Sequence, residues 1–337
     1  MYVATKDGHN GFGDQLTRYF MAFAVASLLG GDALVDGSWG VPAHHAVNSA
    51  DEYTEAVRDV LGVEAQQVSA VRATEYPGEY TCSPLAAAAI AVKACQQHER
   101  VMLLLDPDSC PLYRRSWHRF FVQPPTRWCP THLDVPGLEH AGWQLRAHTA
   151  AHRVHHASNQ LHFFEPDSIN VAVHVRNGDI CVSCDEHSEF SYHALMEQVA
   201  SALKGCAVRF VFFAQDPLPW VNEHWPDAVT VDFSNASVSV VARHFLGSHV
   251  LITGGSSFAT SIAAFAQPFH PVVLEAMRKE STWGCHGQGC PGRPYVLQPG
   301  TSLRLNRRGA LLDSTPAELR ALLQLQQPLA WTKTCPS

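Results

Sequence analysis

Hydrophobic positions along the chain follow two spacings, and their alternation is most regular in the second half. Short continuous apolar runs at 170–175, 208–213, 229–233, 250–253 and 272–275 predict strands. Between them, apolar positions at helical spacing predict helices over 192–203, 238–246 and 258–266. Unbroken apolar strands separated by helices at short intervals are the pattern of a parallel sheet covered on both faces, so the fold class is α/β. The first half opens with a strand at 2–5, a glycine turn at 8–13, a helix over 14–29 and a strand at 33–36, a βαβ unit. In that helix Leu16, Phe20, Phe23 and Ser27 share one face. Further helices are expected at 51–61 and 84–97 and a buried strand at 101–105, while 106–136, rich in Pro, Cys, Trp and Arg, reads as an irregular excursion. Two domains are expected, an N-terminal Rossmann-like one over 1–165 and a C-terminal one over 166–337. Ligands of such sheets bind outside the carboxyl ends of the strands.

Composition narrows the functions open to such a chain. With 46% hydrophobic and 16% charged residues among 337, it has core material in plenty, and its net charge of -7 argues against a general nucleic-acid binder. The apolar stretch from Tyr19 to Gly31 falls short of the ~20 residues that span a bilayer, and Met1 is followed at once by a strand-like run rather than by a signal-peptide pattern. No membrane span is expected in this chain. Ten cysteines include the close pairs Cys181/Cys184 and Cys285/Cys290, which suit disulfides, buried thiols or, with His187 and His286, zinc. The sequon Asn235-Ala-Ser237 fits a secretory setting. A Golgi or ER lumen location follows if the chain belongs to a longer anchored protein, and a cytoplasmic one otherwise.

Four segments carry candidate chemistry. In Val171-Ala-Val-His-Val-Arg-Asn-Gly-Asp179, strand alternation sets His174 and Arg176 side by side at a strand end, with Asp179 placed to brace the turn. A guanidinium there offers a rigid fork of donors to a phosphate and can accept leaving-group charge without a metal; a surface ion pair beside a core histidine is the plainer alternative. In Val250-Leu-Ile-Thr-Gly-Gly-Ser-Ser-Phe258 a buried strand runs through two glycines and Ser256-Ser257 into a helix, which is either an anion site or an ordinary serine cap. Asp232, just past a strand, could accept from the ring N–H and amino group of guanine. Asn10-Gly-Phe-Gly-Asp-Gln15 puts Gly11 and Gly13 in a close-approach loop with Asp14 at the helix start, as an exposed carboxylate or a simple cap. That loop meets neither the dinucleotide nor the P-loop fingerprint.

The order G-F-G-D-Q, H-V-R-N-G-D, D-F-S, G-G-S-S-F resembles the GDP-fucose-dependent fucosyltransferase superfamily, which groups α-1,2-, α-1,6- and protein O-fucosyltransferases. His174 to Asp179 matches its HxRxGD motif at every fixed position, and the resemblance covers residues 1 to about 40 and about 165 to 276. It implies a GT-B-like fold, two Rossmann-type domains with parallel sheets facing across a cleft. It further implies inverting, metal-independent transfer of fucose from GDP-fucose to a hydroxyl of a glycan or glycoprotein acceptor, with no cofactor. By the same resemblance Arg176 holds the β-phosphate, His174 lines that pocket, Asp179 supports the loop, Ser256, Ser257 and the start of the helix at Phe258 bind the diphosphate, and Asp232 contacts guanine. Asp14 stands where the family commonly has Asn, which offers a carboxylate for base work; Glu186 and Glu189 are the other candidates. Two other readings are open to the sequence: a non-catalytic GDP-sugar-binding homologue, and a zinc-dependent hydrolase built on Cys181, Cys184 and His187 or on Cys285, His286 and Cys290.

Overall fold

The structure, a computed structural model, describes residues 2–5, 13, 32–33, 56, 102–105, 161–175, 187–232, 236–253, 258–259, 262, 272–275, 295–298, 301–305, 311–312, 316–326 and 334–335. The chain divides into two units, Met1–Arg153 and Val154–Ser337. In the first unit β1 (Tyr2–Thr5) lies between β2 (Asp32–Ala33) and β3 (Met102–Leu105), and both pairings are parallel. Parallel neighbours need crossover connections, as the βαβ pattern requires. Gly13 and Ala56 are buried, helical positions of this unit. The expected helices at 14–29 and 84–97, and the excursion at 106–136, lie outside the described residues.

The second unit is built on a five-stranded, wholly parallel sheet: β4 (Ile169–Val175), β5 (Val208–Ala214), β6 (Val229–Asp232), β7 (Val250–Thr253) and β8 (Val272–Glu275). Their spatial order is β6-β5-β4-β7-β8. Renumbered from its first strand this is 3-2-1-4-5, the doubly wound Rossmann order. Helices α1 (His187–Ala202), α2 (Pro219–His224) and α3 (Val238–Gly247) fall between these strands, and α4 (Pro316–Gln326) follows them. A separate antiparallel sheet joins β9 (Tyr295–Gln298), β10 (Thr301–Leu305) and β11 (Leu311–Leu312). That sheet, α2 and α4 have no counterpart among the sequence expectations. The expected 258–266 helix is described at 258, 259 and 262.

Every residue of β4 is buried, which is why the strand reads as one apolar run. Alternation sends Val171, Val173 and Val175 to one face, where they share a core with Leu195, Met196 and Val199 of α1 and Leu319 and Leu323 of α4. Ala172 and His174 face the other way, toward α3, whose Phe245 ring lies 5.4 Å from His174 and 5.3 Å from Phe213 of β5. Helix α3 starts at an N-cap serine: Ser237 Oγ accepts from Val240 N–H at 3.3 Å. At the other end of the sheet, the α1–β5 turn has Cys206 N–H donating to Leu203 O at 2.9 Å with Gly205 at φ +88°, the left-handed region that favours glycine.

The stretch leading into β4 is held by one amide and two imidazoles. Asn170 Oδ1 accepts from Glu165 N–H at 3.0 Å while its Nδ2 donates to the carbonyls of Glu165 (2.8 Å) and Ser168 (3.2 Å). Its backbone N–H donates to His249 Nδ1 at 2.9 Å. His244, fully buried in α3, has Nδ1 2.7 Å from the Val240 carbonyl and Nε2 3.4 Å from the Phe163 N–H, so the neutral ring with its proton on Nδ1 satisfies both contacts. Burial drives the His244 pKa down to about 4, outweighing the bond to Val240, and His162 and Arg243 lower it further. His249 is lowered to about 4 by burial as well.

These two rings fix the sign of an acid effect. A histidine whose pKa is lower in the folded than in the unfolded chain contributes stability that is complete above the unfolded value near 6.5 and is lost as pH falls toward 4. His244 alone accounts for a loss on the order of 3 kcal/mol across that window. Urea midpoints taken at pH 7.0 and 4.5 are expected to fall steeply for the native chain and less for His244→Gln. Equal midpoints at the two pH values contradict this role.

Candidate functional site

Strand order locates the crevice of the second unit. The chain winds outward from β4 through β5 to β6, then returns to the opposite side of β4 for β7 and β8. The reversal lies between β4 and β7, and at such a switch point the loops leaving the two carboxyl ends diverge to opposite faces and leave a gap between them. At this gap His174, the penultimate residue of β4, and Thr253, the last of β7, are register partners. Phe213 of β5 is the partner of His174 on the other side. In a parallel sheet residues in register point to one face, so His174, Phe213 and Thr253 share the face that α3 covers.

Beneath the switch point the packing is aromatic and buried. His174 is 1% exposed and Thr253 is fully buried. The His174 ring lies 5.4 Å from Phe245 and 6.1 Å from Phe258, and those two phenyl rings are 5.5 Å apart. Phe258, partly buried, therefore reaches back from beyond the G-G-S-S stretch to pack beneath the end of β4. A low-dielectric floor of this kind strengthens charge–charge attraction just above it. The end of β4 is pinned from the opposite face too: the buried Tyr192 hydroxyl of α1 donates to the His174 carbonyl at 2.9 Å. Tyr192, Thr253 and Phe245 were not singled out by the sequence; each is an ordinary core residue by local pattern and gains its place only through strand order.

Asp232 ends β6 on the same carboxyl edge and is half-buried. It is in register with Ala214, itself in register with Val175, so it stands two strands, roughly 10 Å, from β4 and on the register row opposite in facing to His174. The expectation that these two residues serve one ligand thus holds only for a ligand that spans the edge, with different groups at His174 and Asp232. Of the other sequence candidates, Gly13 is a buried helical residue of the first unit. Arg176, Asp179, Ser256, Ser257, Gly11, Asp14 and Glu186 lie outside the described residues, and Glu189 is described only as a backbone position of α1. Arg176 follows the last residue of β4 directly, and Ser256-Ser257 stand between Thr253 and Phe258. The cysteines and His286 of the zinc reading are also outside, and His187 is described in backbone alone. Among the described residues no cluster of three His, Cys, Asp or Glu side chains could hold a metal ion, and no helix is long and apolar enough to cross a membrane.

No family model matches the chain, and no curated protein matches it. Solved structures do resemble it. The fucosyltransferase NodZ from Bradyrhizobium is 17% identical over 79% of this chain and 92% of its own, at a TM-score of 0.37. The E. coli heptosyltransferase WaaC with ADP-2-deoxy-2-fluoro heptose is 11% identical over 81% of this chain and 87% of its own, at 0.38. A mutant of Arabidopsis thaliana FUT1 in complex with GDP is 10% identical over 83% of this chain and 71% of its own, at 0.39.

The Tyr192 bond gives a direct check on how the end of β4 is held. Tyr192→Phe keeps the ring in the core and leaves the buried His174 carbonyl without that donor, so urea unfolding should show a loss of about 1–2 kcal/mol with an unchanged m-value. A loss under ~0.3 kcal/mol would mean the bond does not form in solution.

Proposed function

We propose that this chain is an inverting, metal-independent glycosyltransferase that moves fucose from GDP-fucose to a hydroxyl of a glycan or glycoprotein. The observation that carries the reading is the pairing of His174 with Thr253 across the switch point. Through it, the segment H-V-R-N-G-D and the segment G-G-S-S-F leave the sheet from adjacent strands, at the edge where doubly wound sheets bind nucleotides.

The roles that the resemblance to the GDP-fucose-dependent fucosyltransferases implies agree with the chemistry of the residue types. The Arg176 guanidinium, charged at any physiological pH, pairs with the β-phosphate as a fork, and the Ser256 and Ser257 hydroxyls with the amides that open the Phe258 helix complete an anion cradle. Asp179 supports the arginine loop. Asp232, two strands away, accepts from guanine, a separation that suits a nucleotide whose base and diphosphate are held apart by a ribose. The acceptor oxygen forms its bond to the sugar carbon as the bond to the β-phosphate oxygen breaks on the opposite face. The proton of the acceptor hydroxyl passes to a carboxylate, with Asp14 the first candidate and Glu186 and Glu189 the others, and GDP leaves with the bonding electrons. Positive charge develops on the sugar and negative charge on the leaving phosphate, so the cationic fork supplies the larger share of catalysis and the base ~10² to 10⁴-fold.

Calorimetric titration with GDP-fucose in excess EDTA, with UDP-glucose as control, should show selective binding, and release of GDP should be detectable on adding acceptor. Arg176→Ala is expected to lose at least ~10²-fold in turnover while unfolding at the native temperature. Near-native turnover in that folded variant overturns the assignment. Selective binding with no turnover on any acceptor points instead to a non-catalytic GDP-sugar binder.

A further inference from the structure

Away from the crevice, the amino-terminal edge of the sheet carries a second construction. Cys206, in the turn between α1 and β5, forms a disulfide with Cys335, 129 residues later. Next to it the Ala207 N–H donates to the Thr334 carbonyl at 3.1 Å, while the Ala207 carbonyl accepts from Ile169 N–H at 2.8 Å, so the chain end joins the row of bonds that starts β4 and β5. Helix α4 closes the same corner. Leu319 and Leu323 are buried in the core that also holds Cys335, and Arg320 Nη1 donates to the carbonyls of Ala202 (3.2 Å) and Lys204 (3.0 Å), groups that the end of α1 leaves over. The six residues 202–207 thus receive a covalent bond, a backbone bond and a guanidinium from the C-terminal segment.

We propose that the Cys206–Cys335 bond is a redox-responsive clasp that holds the C-terminal segment, α4 included, against α1 and β5. Its reduction by a dithiol breaks one S–S bond and yields the Cys206 and Cys335 thiols, while the dithiol is oxidised to its own disulfide; two electrons and two protons pass to the protein. Among the described residues, the segment then keeps the buried Leu319 and Leu323, the Arg320 donations and the Ala207–Thr334 backbone bond. Cys335 is 7% exposed and Cys206 partly buried, so attack by a reductant needs a local opening around the disulfide. Closing a loop of this length restricts the unfolded chain severely, and the clasp persists only in an oxidising compartment. The clasp lies at the opposite end of the strands from His174 and Thr253, so its effect on α4 is separable from any ligand at the crevice. The inference is independent of the transferase reading.

The test uses the full chain. Alkylation of the folded, unreduced protein followed by peptide mapping should recover the Cys206 and Cys335 peptides as one linked species. Hydrogen exchange over 316–326 should accelerate at least ~10-fold after treatment with dithiothreitol and in the Cys206→Ser/Cys335→Ser double variant, with the thermal midpoint lowered by on the order of 10 °C. Exchange at the carboxyl ends of β4 and β7 should be unchanged. Immediate alkylation of both cysteines in the unreduced folded protein overturns the proposal. So does native protection of α4 after reduction of the folded wild-type chain, a measurement that stands even if the double variant fails to fold.

Discussion

Burial of β4 on both faces is the constraint from which the second unit follows. A strand with no polar face must be covered twice, and β4 is covered by α1 and α4 on its Val171–Val173–Val175 side and by α3 on its Ala172–His174 side. Covering helices on both sides require crossovers, crossovers make the neighbours parallel, and with β5 and β7 on either flank the winding has to reverse beside β4. The crevice is therefore a consequence of how the most buried strand is packed. Placing His174 within that strand fixes the residues after it: whatever follows Val175 emerges at the reversal.

The same strand has its two ends managed differently, and the division separates a ligand edge from a stability edge. At the carboxyl end the backbone is pinned by Tyr192 and the ring of His174 by Phe245 and Phe258, an apolar seat beneath the loops. At the amino end the polar groups of Asn170, His249 and His244 hold the incoming chain, and the α1–β5 turn is bound by Arg320 and by the disulfide. Neutral imidazoles as acceptors and a disulfide as a tie are both condition-dependent contacts; the disulfide and His249 sit at the amino-terminal edge, whereas the His244 ring also lies 5.6 Å from Phe213, the register partner of His174. A reductant thus loosens the frame at the edge away from the crevice, whereas protonation of His244 also bears on the aromatic packing beneath it.

Much of this frame was legible in the sequence because doubly covered strands announce themselves. Runs such as 250–253 and 272–275 carry no polar alternation, and their bounds agree with the observed strands residue for residue. What could not be read is which strand lies beside which. Nothing local in Val171–Val175 or in Val250–Thr253 says that the two are neighbours, so the meeting of His174 with Thr253 and the two-strand gap to Asp232 appear only in the assembled sheet. Tyr192 was invisible for a similar reason, since an aromatic at helical spacing looks the same whether or not its hydroxyl caps a strand. Close spacing marks the pairs Cys181/Cys184 and Cys285/Cys290, whereas the disulfide among the described residues joins Cys206 to Cys335 across 129 positions; ten cysteines carry no pairing code. Helix α2, on only six residues opened by Pro219, and the short antiparallel strands β9 to β11 are too brief for periodicity to distinguish them from loop.

The central claim, that the reversal beside β4 is where a guanine nucleotide binds, is tested most directly by mapping amide exchange with and without saturating GDP in the presence of EDTA. The account predicts slowed exchange at 174–175, at 253 and at 258–262, together with the end of β6 at Asp232, and unchanged exchange over 161–170 and 316–326. Protection confined to the amino-terminal edge, or no protection anywhere at saturating GDP, would contradict it.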